Sequence, residues 1–289
     1  LYFLFLLLIT GTVSYGQVIL SDNFNYADNA LLTANGWIAH SGAGTESINV
    51  GVSNGLTFTG YSGLAGITGV DVGNAARIDN NGEDVNRVFG DITSGTIYYS
   101  FLLNISNSNA GYFIHLGDGG TSNYYARVFV KAGTTGYNLG ISNSSTASYK
   151  TLPTEFVLNT TYLVIVKLNL SDGGLSLWVI NNGNLPTTEV AAGLPEHTVT
   201  GSAISVVKAV YLRQYNASQN QTIDGLRVAT AWPVDGTLGI GKNEIANFSL
   251  YPNPVKGGKV FINSANNYAE RSVAIFDVLG KQVVSQKGT

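Results

Sequence analysis

Three stretches of this chain alternate apolar and other residues with a period of two, and that alternation restricts the fold more than any other feature. In GTIYYSFLLNIS (95–106), Ile97, Tyr99, Phe101, Leu103 and Ile105 fall on one face. TYLVIVKLNL (161–170) aligns Tyr162, Val164, Val166, Leu168 and Leu170, and its opposite face ends in Lys167 and Asn169. GLSLWVI (174–180) aligns Leu175, Leu177 and Val179. Successive side chains of a strand point to opposite sides, so each run reads as a strand with one face on a core. Between such runs stand SNSNAG, GDGGTSN, KAGTTG, SDGG and NNGN, each supplying the Gly or Asn that tolerates the positive φ of a tight hairpin. No stretch repeats apolar residues at i, i+3, i+4 and i+7 over a helical length. Many short strands with hairpin punctuation predict an all-β fold, a large two-sheet antiparallel jelly-roll sandwich around one core.

Composition narrows the function classes. Hydrophobic residues make up 44% of the 289 and aromatics 11%, ample surface for a core. Charged residues are only 11%, the net charge is −3, and no Lys or Arg precedes Arg77, which excludes the basic footprint of a nucleic-acid binder. Cysteine is absent, so no disulfide framework and no thiolate metal site can form. The chain also lacks methionine, so it is expected to start some residues after the initiator. Its opening run, Leu1 to Ile9, is unbroken apolar. That is too short to span a bilayer, which takes about 20 residues, but it suits the centre of a secretory signal peptide. Ser14 and Gly16 stand as the small residues before a cut at Gln17. The expected organisation is a signal peptide at 1–16, a large domain at 17–235, a Gly-rich linker at 236–248 and a small β unit at 249–289. The mature chain then has no transmembrane segment.

The small unit opens with Tyr251-Pro252-Asn253-Pro254. Each proline fixes its own φ and pushes the residue before it toward an extended conformation, so Tyr251 and Asn253 are held extended. Alternating Val260 and Ile262 follow, then Val273, Ile275 and Asp277, then a turn through Gly280-Lys281 into Val283. This string resembles the C-terminal sorting domain of the type IX secretion system, whose YPNP-like start leads into a V-x-I-x-D-x-x-G-K/R-x-V strand-turn-strand. The resemblance implies a small β-sandwich recognised by the type IX machinery. It also implies passage out of a Bacteroidota-type bacterium, with the cargo released or held at the outer-membrane surface. Members of that family continue with a further pair of strands, whereas this chain stops at Gly288-Thr289, so a truncated sorting domain is expected.

In the large domain, DNFNYADNALLTANGW (22–37) and QTIDGLRVATAW (221–232) resemble the first and last strands of concanavalin A-like, laminin-G-type jelly rolls. That resemblance implies a sandwich with a concave face that often binds sugars, and no fixed activity. Its laminarinase-type members carry E-x-D-x-x-E on one strand. Here the glutamates, Glu46, Glu83, Glu155, Glu189, Glu196, Glu244 and Glu270, are scattered, and the adjacent pair Glu83-Asp84 would point to opposite faces of a strand. The histidines His40, His115 and His197 form no spaced ligand pair, and no G-x-S-x-G elbow occurs. GTLGIGKN (236–243) nearly matches a phosphate loop, but Asn243 replaces the hydroxyl and neither the required strand nor helix flanks it.

Two kinds of site stand out. Strict alternation puts Asp224 beside Leu226 and Val228, toward the core, where a carboxylate needs a partner. Related jelly rolls imply a structural calcium ion at such an aspartate, with Asp22 or Asn23 as further oxygen ligands; bonds to Arg227 or to backbone N–H groups are the alternative. AVYLRQYN (209–216) puts Tyr211, Arg213 and Tyr215 on one face, and YYARVFVK (124–131) puts Tyr125, Arg127, Phe129 and Lys131 together; His115 in YFIHLGDGG is read as a face-lining or hydrogen-bonded residue and a further ligand candidate. Rings stack on sugars and Arg bonds to hydroxyls, while cross-strand pairing that stabilises the sheet uses the same residue types. The expected function is a secreted or surface cargo with a non-catalytic glycan-binding or adhesion module. A glycoside hydrolase, an accessory domain of a larger enzyme and a structural surface protein are the alternatives.

Overall fold

The computed structural model describes residues 18–51, 55–61, 74–150, 154–232, 249–251, 261–263, 271–276 and 282–288. The chain forms two compact units, Leu1–Gly241 and Lys242–Thr289. The expected signal peptide, the linker and the motif residues Pro252, Asn253, Pro254, Asp277, Gly280 and Lys281 lie outside the described residues.

Among the described residues of the large unit, fourteen strands numbered in chain order form two sheets. One contains β1 (Val18–Asp22), β3 (Asn49–Val50), β4 (Ala76–Ile78), β6 (Thr96–Asn107), β10 (Tyr162–Asn169), β11 (Leu175–Asn181), β12 (His197–Val199) and β14 (Asn220–Ala229), in the order β12-β11-β10-β6-β14-β4-β3 with β1 also paired to β14. The other contains β2 (Ile38–Ser41), β5 (Asp84–Ile92), β7 (Gly111–Gly117), β8 (Tyr125–Ala132), β9 (Tyr137–Ser142) and β13 (Val207–Leu212), in the order β2-β5-β13-β7-β8-β9. Pairings in both sheets are antiparallel. This is the all-β, two-sheet jelly-roll sandwich that the alternation predicts. The SDGG segment turns β10 into β11, and KAGTTG turns β8 into β9.

The core lies between the sheets. All five alternating residues of β6, from Ile97 to Ile105, are fully buried there. Val164, Val166 and Leu168 of β10 join them, as do Val128 and Val130 of β8 and Val210 and Leu212 of β13. Each such side chain contributes about 1.5–3 kcal/mol by leaving water. Tyr99 brings a hydroxyl into this apolar layer and satisfies it by donating to the Ala126 carbonyl of the facing sheet at 2.5 Å.

The larger sheet is buried on its outer side as well. Tyr98, Leu102, Leu163, Ile165 and Trp178 pack under Phe58 and Tyr61, with Leu185, Ala192 and Trp232 alongside. A loop therefore roofs the face that alternation alone would leave to solvent. The small unit contains β15 (Ser249–Tyr251) paired with β16 (Phe261–Asn263), and β17 (Arg271–Phe276) paired with β18 (Gln282–Gly288).

Candidate functional site

The outer face of the six-stranded sheet gathers aromatic rings and cations. On β13, Val210 and Leu212 enter the core, so Tyr211 points outward and Arg213 follows on the same side. Tyr211 lies opposite His115 of β7 on one flank and Asn86 of β5 on the other. The Tyr211 and His115 rings stack at 4.4 Å with 8° between their planes, and His40 meets Tyr211 edge-on at 5.1 Å. From β8 and the turn before it, Arg127, Phe129 and Tyr124 close the patch around Tyr112. The Arg127 and Arg213 guanidinium carbons lie 4.8 and 4.3 Å from the Tyr112 ring centroid, and Arg127 is 4.5 Å from that of Tyr124. Lys131, farther along β8, lies 4.4 Å from the Tyr149 ring.

The patch has a buried floor and an open rim. Tyr211 and His115 are each 1% exposed, and Tyr211 donates to the Gly120 carbonyl at 2.8 Å, so the turn before β8 covers both. Burial pushes the His115 imidazole down to about 3, so it is neutral at physiological pH and its Nδ1–H donates to the Leu116 carbonyl. It is no proton shuttle there. Tyr112, Tyr124, Arg213 and His40 are half-buried and form the accessible part. Three polar atoms within the patch find no hydrogen-bond partner among the described residues, Arg127 Nε, Asn86 Oδ1 and His40 Nδ1, although Arg127 and Asn86 are only 8% and 5% exposed. Burial lowers the Arg127 guanidinium from its usual range and raises the neighbouring Asp84 carboxyl, which faces His40 and Arg213. Asp84 accepts from the Gln214 amide and from Ser41 Oγ.

Of the six residues expected to bind ligand, the fold brings Tyr211, Arg213, Arg127 and His115 together. Tyr215 stands at the edge of the patch, its ring centroid 5.6 Å from the Arg213 guanidinium carbon, and Tyr125 goes elsewhere. The register between β7 and β8 shifts between Ile114 and Leu116, and Ala126 takes a φ of 49°; this turns Tyr125 toward the core, away from Arg127. Tyr215 lies beyond the end of β13, packs against the core and donates to the Asn109 carbonyl at 2.6 Å. Its ring occupies the space that a side chain at Gly111 would need. Sequence reasoning missed Tyr112, Tyr124, Asn86 and His40. Tyr112 and His115, three apart, fall on opposite faces by strict alternation. A register shift between Tyr112 and Ile114 lets Phe113 and Ile114 both enter the core and puts the two rings on one side.

A cavity of about 400 Å³ lies apart from this patch, lined by Tyr125, Ser142, Asn143 and the segment 199–204. Its lining offers hydroxyls and backbone groups and no charged side chain. The aromatic and basic face, with its convergent rings and unsatisfied polar atoms, is the richer in chemistry.

The residues expected to hold calcium are engaged otherwise. Asp224 is buried, but a register shift between Asp224 and Arg227, with Gly225 at φ +55°, breaks the alternation. Ile223 and Leu226 both enter the core, while Asp224 lies opposite Leu102 under the roofing loop. There it accepts the Leu56 and Gly225 amides at 2.7 and 2.6 Å, the backbone alternative raised above. Asp22 accepts from the Phe24 amide, the Tyr26 hydroxyl, the Trp37 indole N–H and Arg87. Asn23 beside it is also buried. Among the described residues no cluster of three acidic or histidine side chains could hold a metal ion. A calcium ion at Asp22 and Asp224 would have to displace these donors, so the set does not fit one as it stands.

Residues 249–289 match the family of the secretion system C-terminal sorting domain. No curated protein matches the chain. Among solved structures, the globular domain of T. cruzi calreticulin is 11% identical, with a TM-score of 0.43 over 74% of this chain and 88% of that one. A conserved carbohydrate esterase from the Shiga toxin-encoding bacteriophage phi24B is 13% identical, with a TM-score of 0.43 over 75% of this chain and 100% of that one. Domain 4 of a GH43 extracellular arabinanase from Geobacillus stearothermophilus, in complex with arabinotriose, is 13% identical, with a TM-score of 0.41 over 77% of this chain and 97% of that one. Likeness at this level says nothing about ligand or activity.

Proposed function

We propose that this chain is a secreted or surface-held cargo whose large unit binds a glycan without cleaving it. The sorting tail indicates recognition by the type IX secretion machinery and export or display at the cell surface. A Bacteroidota-type host and an N-terminal signal peptide complete the proposed route. For the large unit, the supporting observation is the half-buried ring of Tyr112 with two guanidiniums close to it, on a face that also holds the unsatisfied Asn86 Oδ1. Aromatic faces for sugar rings and a few convergent polar groups are what a glycan site requires. The stacked floor of Tyr211 and His115 holds that arrangement rigid.

The test is a polysaccharide array probed with the full chain, with product analysis of each hit. Binding without products, lost in Tyr112→Ala or Tyr124→Ala, is the expected result. Products would place the chain among the glycoside-cleaving enzymes instead. A blank array would leave the structural surface reading.

A further inference from the structure

We propose that what this face reads is an oxyanion on the sugar, so that the ligand is an acidic polysaccharide; this rests on the glycan reading above. The large unit's cations are otherwise accounted for. Arg77, Arg87, Lys150, Lys167 and Lys208 each ion-pair with a carboxylate. Arg227 lies 4.1 Å from the Tyr61 ring on the opposite sheet. The others are Arg127, Lys131 and Arg213, and none has a salt bridge among the described residues. All three lie on the outer face of the six-stranded sheet. Arg127 and Lys131 alternate with the core residues Val128 and Val130 along β8, and Arg213 continues the outward side of β13.

Two like charges around one ring repel, and a guanidinium withdrawn from water without a counter-ion is costly. Arg127 is 8% exposed, yet its Nε has no acceptor. The carboxylate nearest in electrostatic effect, Asp84, is held by the Gln214 amide and Ser41 and makes no ion pair with Arg213. An oxyanion beside the half-buried Arg213 guanidinium would supply the counter-charge that both arginines lack. Arg presents a planar fork that takes a carboxylate or sulfate through paired N–H donors, and a sugar carrying that group would lay its ring against Tyr112 and Tyr124. A neutral glycan would gain the stacking and leave the charges uncompensated.

The full chain is titrated with polygalacturonate, alginate and hyaluronate, each beside its carboxyl-reduced form, and with dextran sulfate beside dextran. The charged member of at least one pair is expected to bind, its neutral counterpart about ten- to hundredfold more weakly, the range of a charge-assisted hydrogen bond. The pair that discriminates distinguishes uronate from sulfate ester. Arg127→Gln and Arg213→Gln should each lose a similar factor, while Arg77→Gln on the other sheet should leave affinity unchanged. If Arg127→Gln does not fold, the half-buried Arg213 decides. Equal binding within every pair, or binding to neutral array glycans alone, overturns the oxyanion and leaves the glycan reading standing. No binding to any polysaccharide overturns both.

Discussion

The two outer faces of the sandwich are built from the same residue types and have opposite fates. On the larger sheet, Lys167 lies 5.7 Å from the Tyr98 ring, as Arg213 lies 4.3 Å from Tyr112 on the smaller. Lys167, however, has the Glu189 carboxylate at 2.8 Å, and Tyr98 donates to that same carboxylate. The chain also lays Phe58, Tyr61 and Trp232 over the sheet, with Trp232 held by a bond from its indole N–H to the Pro186 carbonyl at 2.9 Å. Aromatic rings and cations on a sheet are structural when the chain supplies their counter-charge and their roof. Where neither an ion pair nor a roofing loop is found among the described residues, as around Tyr112, they are left open.

The sharpest way to break that contrast is to remove the roofed face's anchor. Trp178 is 3% exposed, meets Trp232 edge-on at 5.3 Å and donates to the Gly193 carbonyl. Trp178→Ala should cost about 3–5 kcal/mol in urea unfolding, the range for deleting a buried aromatic, with glycan affinity of the folded fraction unchanged. A loss of binding at constant stability would show that this face is no mere scaffold.

The floor of the open face should respond to acid. His115 titrates near 6.5 unfolded and at about 3 folded, so between these values the unfolded chain binds the extra proton. Its contribution is full above the unfolded value and declines as pH falls toward the folded one. Arg127, His40 and Arg213 face the same ring and oppose its charging, and His40, itself lowered by burial, adds with the same sign. Between pH 7 and 4 the His115 contribution amounts to about 3 kcal/mol. In His115→Phe, thermal unfolding scanned over that window should show a correspondingly shallower decline, and an unchanged slope would refute the assignment.

Gly225 connects the roofed face to the core. Its φ of +55° disfavours any side chain, and an ideal Cβ would sit 3.0 Å from Tyr61 Cε1. Gly225→Ala should cost about 1–2 kcal/mol by equilibrium unfolding, and a neutral result would mean that the bulge relaxes. Smaller still is the paired comparison of the two cations. Lys167→Gln should lose about 0.5–1 kcal/mol with its half-buried ion pair, whereas Arg213→Gln should change stability by less than about 0.5 kcal/mol. Removing divalent cations with EDTA should shift the melting temperature by less than about 1 °C, since a ligand bound only by the folded state would raise it by mass action. A larger shift would restore calcium at Asp22, Asn23 and Asp224.

The legible part of this protein was whatever depends on period and on local chemistry. Ile97 to Ile105 and Tyr162 to Leu170 could be assigned to the core because alternation holds without a break along β6 and β10. Glycine-bearing turns located the hairpins, and YPNP with its downstream strand-turn-strand marked the tail that matches the sorting family. The candidate face was half legible. Tyr211 and Arg127 lie on strands whose alternation holds locally, and Arg213 directly follows one, so their outward direction followed from their neighbours.

Tertiary structure decided the remainder at the bulges. One extra residue near Phe113, one at Ala126 and one at Gly225 moved Tyr112, Tyr125 and Asp224 each to the face opposite the one alternation assigns. A bulge leaves little trace in a single sequence, because its cost is offset by contacts made far along the chain, such as Leu56 to Asp224 or Tyr99 to Ala126. Counter-charges are likewise non-local. Glu189 reaches Lys167 across a hairpin, and among the described residues no carboxylate ion-pairs with Arg127, so only the folded sheet shows which cation is spent and which is left over. Alternation along the chain determined that there would be two faces and a core. The long-range pairing of bulges and charges decided which face stayed open.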